Sequence, residues 1–395
     1  MTGQPGDGRQ TVAHVRCPLF LPKSETFIYN YLSNMPDFRH LCLAWHFANL
    51  SSFPMPREDL YRLSSARFTP PWLYYGLQRR YLGRDARAER IAEKLIADRS
   101  VRLLHAHFGP SGVIARRIAA ASRIPLVTTF YGYDVSMLPR SSRWRRWYRQ
   151  LFADGDLFLV EGPYMKARLE DLGCPADKIR IQRIAIAVEA MTFRQRAPKK
   201  KGEKVSFIFS GRLIEKKGLI YALQALRRLR ADYSNFTFSV IGDGPQRRMI
   251  ARYVRDNGMG PFVELLGFLS YGDYLRQMQK SDIFFHPSVT AANGDSEGGA
   301  PTTILEAQAM GMPVISSYHA DIPNVVAPGE SALLCAERDW EALAQKAAYL
   351  MDNPEVWPRM GLHGRLFVEE RHNIRKEAAS LEDRYDLLIR QRLVN

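Results

Sequence analysis

The chain of 395 residues is 46% apolar and 25% charged, which excludes a disordered or fibrous protein and exceeds what one hydrophobic core usually organises. Lys and Arg number 56 against 41 Asp and Glu, and the excess is lopsided: residues 1–195 hold 29 basic and 17 acidic side chains (net +12), residues 196–395 hold 27 and 24 (net +3). A cationic first half suits an anionic partner, either nucleic acid or the acidic inner leaflet of a membrane.

The polar opening "MTGQPGDGRQ" is not a signal peptide, and no apolar run approaches the roughly 20 residues of a spanning helix. Cys17, Cys42, Cys174 and Cys335 show neither CxxC nor Cys/His spacing, so they are expected to be reduced, mostly buried and cytosolic. Any membrane contact is therefore expected to be peripheral, on the cytoplasmic face.

A short strand in "TVAHVRCPLF" is followed by a loop carrying Ser24 and Glu25. Apolar runs "HLCLAWHF", "VRLLHAHF", "PLVTTFYG", "LFLVEG" and "IRIQRIAI" then alternate with helical stretches such as "RAERIAEKLIADR" and "SGVIARRIAAAS", which predicts a parallel sheet covered on both faces. His105 and His107 share one face of their strand. The deeper His105 suits a satisfied core position, whereas His107, at a glycine-rich strand end, is a candidate for function. In "SSRWRRWYRQLF", Trp144, Trp147, Tyr148 and Leu151 recur at helical spacing among Arg143, Arg145, Arg146 and Arg149. An interfacial helix and a helix docked on the core both give that pattern. Asp154-Gly155-Asp156 matches a manganese-binding D-x-D only superficially, and its place before a strand suits a turn.

The Lys-rich "RQRAPKKKGEK", residues 194–204, predicts a linker between a domain over 1–193 and another over 205–371. The second half restarts with strand "KVSFIFSGRL", and strands "FTFSVIGDGP", "VELLGFL", "DIFFHPS" and "PVISS" alternate with helices. In such sheets ligands sit beyond the carboxyl ends of the strands. Three strand-end loops carry candidate chemistry. Ser210, Gly211 and Arg212 precede Lys217, giving two cations for phosphate oxygens. Gly242 and Gly244 form a glycine turn that fails as a dinucleotide fingerprint, because Arg247 stands where a third glycine would fall. In "SEGGAPTTILEAQAMG", Gly298, Gly299 and Ala300 admit a ligand close to the main chain, and Pro301 fits the first helical position. The helix start favours an anion such as a diphosphate. Glu297 stands before it and Glu306 in its second turn, within reach of hydroxyl groups.

These three loops in order resemble the nucleotide-sugar domain of retaining glycosyltransferases of family GT4, and most of all the exopolysaccharide (colanic-acid type) enzymes. The likeness runs along the whole chain, through "LPKSETFIYNYL", "HAHFGPSGVIA", "TTFYGYDVS" and the final helix "AASLEDRYDLLI". It implies the GT-B fold: two Rossmann-like α/β domains facing a central cleft, with a last helix, about 372–395, packing back on the first. It implies a UDP- or GDP-sugar donor whose diphosphate is held by Arg212, Lys217 and the amides after Glu297. Glu306 would hold the ribose, Glu297 would lie near the donor sugar, and His107 beside the reacting carbon. Ser24, Glu25 and Asp134 would lie in loops near donor or acceptor. Eight residues separate the two glutamates where the family usually has seven, and Tyr131 stands where a His-Gly pair often begins.

The expected activity is transfer of a sugar, with retained configuration, to a glycan or polyprenyl-linked acceptor in exopolysaccharide or lipopolysaccharide assembly, without cofactor or metal. A nucleotide-sugar epimerase or a phosphorylase would share the architecture, though nothing marks a pyridoxal lysine. A nucleic-acid binder would need a reading helix or stacking sheet that the aromatics do not supply.

Overall fold

The computed structural model describes residues 8–63 and 86–394, so the first seven residues of the polar tail lie outside it. The chain divides into two units: Met1–Gln182 with Ile374–Asn395, and Arg183–Asn373.

In the first unit β1 (Gln10–Val15), β3 (Phe38–Ala44), β5 (Leu60–Arg62), β6 (Val101–His107), β7 (Leu126–Thr129), β8 (Leu157–Val160) and β9 (Ile179–Ile181) form one parallel sheet, ordered β5-β3-β1-β6-β7-β8-β9. β2 (Leu19–Phe20) and β4 (His46–Phe47) pair separately. Every residue of β7 and β8 is buried, the signature of a sheet covered on both faces. The register sets His14 beside His105 and His107 beside Thr129. The helix Ile374–Val394 belongs to this unit: Tyr385 hydrogen-bonds His105, and Glu382 accepts the amide of Asp37 at 2.9 Å.

The basic helix Ser142–Asp154 docks its aromatic face on the core. Tyr148, Leu151 and Phe152 are buried and the half-buried Trp144 and Trp147 pack with them, while Arg143, Arg146 and Arg149 are exposed. The apolar face is thus turned to the core, and the arginines lie on the exposed side of the helix. Asp154 pairs with Arg116 at 2.6 Å and Asp156 accepts the Leu126 amide at 2.8 Å, so this D-x-D braces a turn.

The second unit holds β10 (Val205–Ser210), β11 (Phe236–Ile241), β12 (Val263–Gly267), β13 (Ile283–His286), β14 (Val314–Ser317) and β15 (Ala332–Cys335), all parallel and ordered β12-β11-β10-β13-β14-β15. Strand order reverses between β10 and β13: the chain leaves β10 toward β11 on one side and β13 toward β14 on the other. Such a switch point is where this architecture opens a ligand crevice.

Residues 194–204, expected as a linker, lie within this second unit, and the boundary falls at Gln182/Arg183 rather than near 193. Arg196 explains the difference. It is fully buried and donates to the carbonyls of Ser281 (2.9 Å), Met278 (3.1 Å) and Met310 (2.6 Å). Met278 and Met310 lie at the ends of the helices Tyr271–Lys280 and Thr302–Ala309, where unpaired carbonyls and the negative dipole end favour a cation. A charged, Pro-containing stretch looks like a linker until its arginine finds those carbonyls.

Candidate active site

At the switch point the β10 loop and the β13 loop close on each other. After Ser210 the chain passes Gly211 and the exposed Arg212 into a tight turn, Glu215–Lys217, ended by Gly218 in the left-handed region (φ +66°). A Cβ at Gly218 would lie 1.8 Å from the Pro287 carbonyl oxygen, so only glycine lets the two loops meet. Lys216 turns inward to Asp295 (3.0 Å) and the Ser296 carbonyl (2.9 Å), fastening the β13 loop.

Lys217 then meets Glu297 at 2.8 Å, with their side chains only 13% and 6% exposed. The other Glu297 oxygen accepts Ser288 Oγ at 2.9 Å and lies 3.8 Å from His286 Nε2. Burial by itself would raise the Glu297 carboxyl, yet the Lys217 ammonium and the neighbouring donors hold it well below the usual range. Burial lowers Lys217, partly offset by Glu297. The pair therefore stays ionised, an ammonium steered by one carboxylate with its remaining hydrogens available to an oxyanion.

Gly298, Gly299, Ala300 and Pro301 are all buried behind Glu297, and Thr302 begins the helix Thr302–Ala309. Pro301 is the residue before the first helical position rather than the first itself. Thr303 Oγ1 donates to the Ser210 carbonyl at 3.2 Å, which ties the helix start to the end of β10. The Ile304 amide bonds to the Pro301 carbonyl at 2.9 Å, and the amides at such a helix start, with the positive end of the dipole, favour an anion. Glu306, in the second turn, accepts a short hydrogen bond from Tyr274. Burial pushes its carboxyl up to about 7, against the Tyr274 bond that lowers it. Gly242 and Gly244 do not form a cradle of their own. They lie where the β11 loop packs on the backbone of Gly211 and Leu213.

In the first unit His107 is 3% exposed and has both ring nitrogens engaged, Nδ1 with Tyr131 Oη (2.7 Å) and Nε2 with His14 Nδ1 (3.1 Å). His14 Nε2 meets His40 Nδ1 at 3.0 Å, and His40 Nε2 meets the Met35 carbonyl at 2.9 Å. A carbonyl only accepts, so His40 carries its proton on Nε2, and each ring up the chain follows: Tyr131 donates to His107, His107 to His14, and His14 to His40. Burial, ahead of repulsion from neighbouring rings and cations, lowers His14 and His107 well below the ordinary value and keeps them neutral. His105 is bonded to Tyr385 and Thr129, as a core histidine should be. Nitrogens of His14, His105 and His107 lie within 4.8 Å of one another, close enough to gather a metal ion. Each of the three rings also has hydrogen-bond partners: His14 with His107 and His40, His107 with Tyr131, and His105 with Tyr385 and Thr129.

Two expected loop residues prove structural. Glu25 is buried in a two-point pair with Arg16 (2.9 and 2.6 Å), whereas Ser24 beside it is exposed. Asp134 is fully buried, and its oxygens accept the amides of Gly109 (2.9 Å) and Tyr131 (3.0 Å), which fix the turns after β6 and β7. His286, Ser288 and Tyr274, which touch the two glutamates, lay outside the sequence candidates. A polar residue ending an apolar strand, the signal that singles out His107, is equally present in "IFFHPS".

Comparisons with known proteins agree with this geometry. Residues 25–187 match the family model "Glycosyltransferase Family 4", and residues 191–379 match "Glycosyl transferases group 1". The chain is 34% identical to WcaL of Escherichia coli K12, named for colanic acid biosynthesis, over 78% of this chain and 75% of that enzyme. It is 33% identical to the amylovoran biosynthesis glycosyltransferase AmsK of Erwinia amylovora, over 60% of this chain and 58% of that one. Among solved structures, Anabaena HepE, crystallised with UDP and glucose, superposes with a TM-score of 0.77 at 14% identity, covering 96% of this chain and all of HepE. At that identity the likeness bears on the fold, which is GT-B. Strand-end loops, buried ion pair and two contiguous family matches converge: this chain belongs to the family 4 glycosyltransferases.

Proposed function

We propose that this glycosyltransferase moves a sugar from a UDP- or GDP-sugar to a glycan or polyprenyl-linked acceptor, with retained configuration, in exopolysaccharide or lipopolysaccharide assembly. The kinship with WcaL and AmsK supports the pathway class. The observation that carries the donor assignment is the buried Lys217–Glu297 pair beside the start of Thr302–Ala309. Cleaving the bond from anomeric carbon to phosphate develops positive charge on the sugar and negative charge on the departing diphosphate. Lys217, the exposed Arg212 and the helix amides stabilise the latter, each well-placed donor contributing roughly 3 kcal/mol. These groups supply the charge that a divalent metal supplies elsewhere. In a retaining transfer the acceptor attacks from the leaving-group face, and a phosphate oxygen can take its proton. The test is a panel of UDP- and GDP-sugars in thermal-shift and hydrolysis assays. Indifference to every nucleoside diphosphate, or binding that requires manganese, rejects the proposal.

Glu306 gives the donor site a pH dependence. Ribose hydroxyls donate best to an ionised carboxylate, and this carboxyl titrates at about 7, so UDP or GDP affinity should rise with pH through neutrality. The Tyr274 hydrogen bond favours the ionised form, so Tyr274→Phe should displace that rise to higher pH. Calorimetric titration at a series of pH values reads both.

For the cationic half, we propose an anionic membrane surface as partner of the exposed Arg143, Arg146 and Arg149. Each contributes about 1 kcal/mol at an acidic leaflet. Flotation with anionic vesicles should be lost when all three become Glu. No flotation of the unmodified protein at physiological salt would dismiss this partner.

A further inference from the structure

The backbone beside Glu297 is held by an imidazole that no sequence motif marks. His319 follows β14 and is 1% exposed. Its Nε2 lies 3.0 Å from the amide nitrogen of Glu297, and its Nδ1 lies 2.6 Å from Glu337 Oε1. A backbone amide only donates, so Nε2 must be the bare nitrogen and Nδ1 carries the proton, which it gives to Glu337. Glu337 is itself fixed: its carboxylate accepts the Thr290 amide (2.8 Å) and hydroxyl (3.1 Å), and Arg338 lies 3.3 Å away. One residue past His319, Ala320 sits in the left-handed region at φ +47°, a costly conformation for a residue with a Cβ. That turn brings the Asp321 amide to the Gly298 carbonyl at 3.1 Å, a second clamp one residue beyond the first.

We propose that Glu337 and His319 are positioning residues for Glu297: a carboxylate–imidazole–amide relay from the end of β15 that sets the Glu297–Gly298 backbone, and with it the Lys217 ammonium. The relay has a direction. Glu337 selects the tautomer of His319, and that tautomer alone can accept the Glu297 amide. The catalytic consequence rests on the donor-site assignment proposed above, whereas the tautomer does not.

The test has two arms. Long-range nitrogen–proton NMR of the full chain labelled at histidine, without donor, should show His319 protonated on Nδ1 and bare on Nε2. A proton on Nε2 would overturn the relay whatever the protein binds. In the hydrolysis assay with UDP-glucose and GDP-mannose, His319→Ala should lower kcat by about 30- to 100-fold, as expected when a reacting group is misplaced by about 1 Å. His319→Gln can span the same gap, its carbonyl accepting from Glu297 and its amide donating to Glu337, and should recover at least about a third of the wild-type kcat. Equal losses in the two variants would overturn the proposal. Should His319→Ala fail to fold, the tautomer and the Gln variant still decide. If neither donor is hydrolysed by the wild type, kcat is read with whichever UDP- or GDP-sugar of the panel is hydrolysed; if none is, the donor assignment fails while the tautomer remains a separate measurement.

Discussion

Lys217→Ala should reduce donor hydrolysis and transfer by about two to three orders of magnitude, the loss seen when a single preorganised oxyanion donor is removed. This one cation should outweigh Arg212. Arg212 is exposed and adaptable, whereas Lys217 is buried against a carboxylate at 2.8 Å and needs no reorganisation when charge develops on the diphosphate. The substitution also strands Glu297 as a buried anion, which costs stability of about 3–5 kcal/mol on its own account. Chemistry and folding are separated by pairing it with Glu297→Gln. The double variant should melt closer to wild type than Lys217→Ala does, yet remain as inactive. A double variant that regains turnover, or a single variant that keeps it, would show that the diphosphate is gripped elsewhere. Arg212→Ala is expected to act more mildly, raising KM for the donor before it lowers kcat.

The sheets and most of the motif loops were legible because parallel strands buried on both faces leave long apolar runs, and because loops at their carboxyl ends break those runs with Gly, Pro and charge. Lys217, Glu297 and Glu306 could be singled out in that way, and the structure brings the first two into contact. Their partners were less legible for a physical reason. His286, Ser288, His319, Glu337 and Tyr274 act through contacts between elements distant in sequence, and nothing local distinguishes a histidine that accepts an amide from one exposed to water. Arg196 shows the reverse case: a polar stretch has the composition of a linker, while its arginine closes two helix ends. The chain of three imidazoles, His107, His14 and His40, ending on the Met35 carbonyl depends on strand register, which composition does not encode. It also changes the meaning of His107, whose two nitrogens are already engaged and whose neighbour Tyr131 donates to it.

Gly242→Ala should be among the most damaging single-atom additions in the second unit, although no ligand atom is needed to explain it. Gly242 ends the β11 strand at φ +132°, and a Cβ there would lie 1.9 Å from the Gly211 carbonyl oxygen. The obstacle is backbone, not a side-chain tip that could swing aside, so one of the two strand ends must move. Gly211 precedes Arg212 and leads to Lys217, and the displaced loop would carry both cations away from the helix Thr302–Ala309. Strain and lost packing should cost about 3 kcal/mol or more, and UDP or GDP affinity should fall with stability. Gly260→Ala is the control, because nothing lies within 4 Å of a Cβ at that position. It should leave melting unchanged or raise it slightly, by the roughly 0.4–1 kcal/mol gained when a chain loses unfolded-state freedom. Equal melting temperatures for the two variants would show that the β10 and β11 loops can separate freely, and that the glycine turn of the β11 loop serves the ligand directly after all.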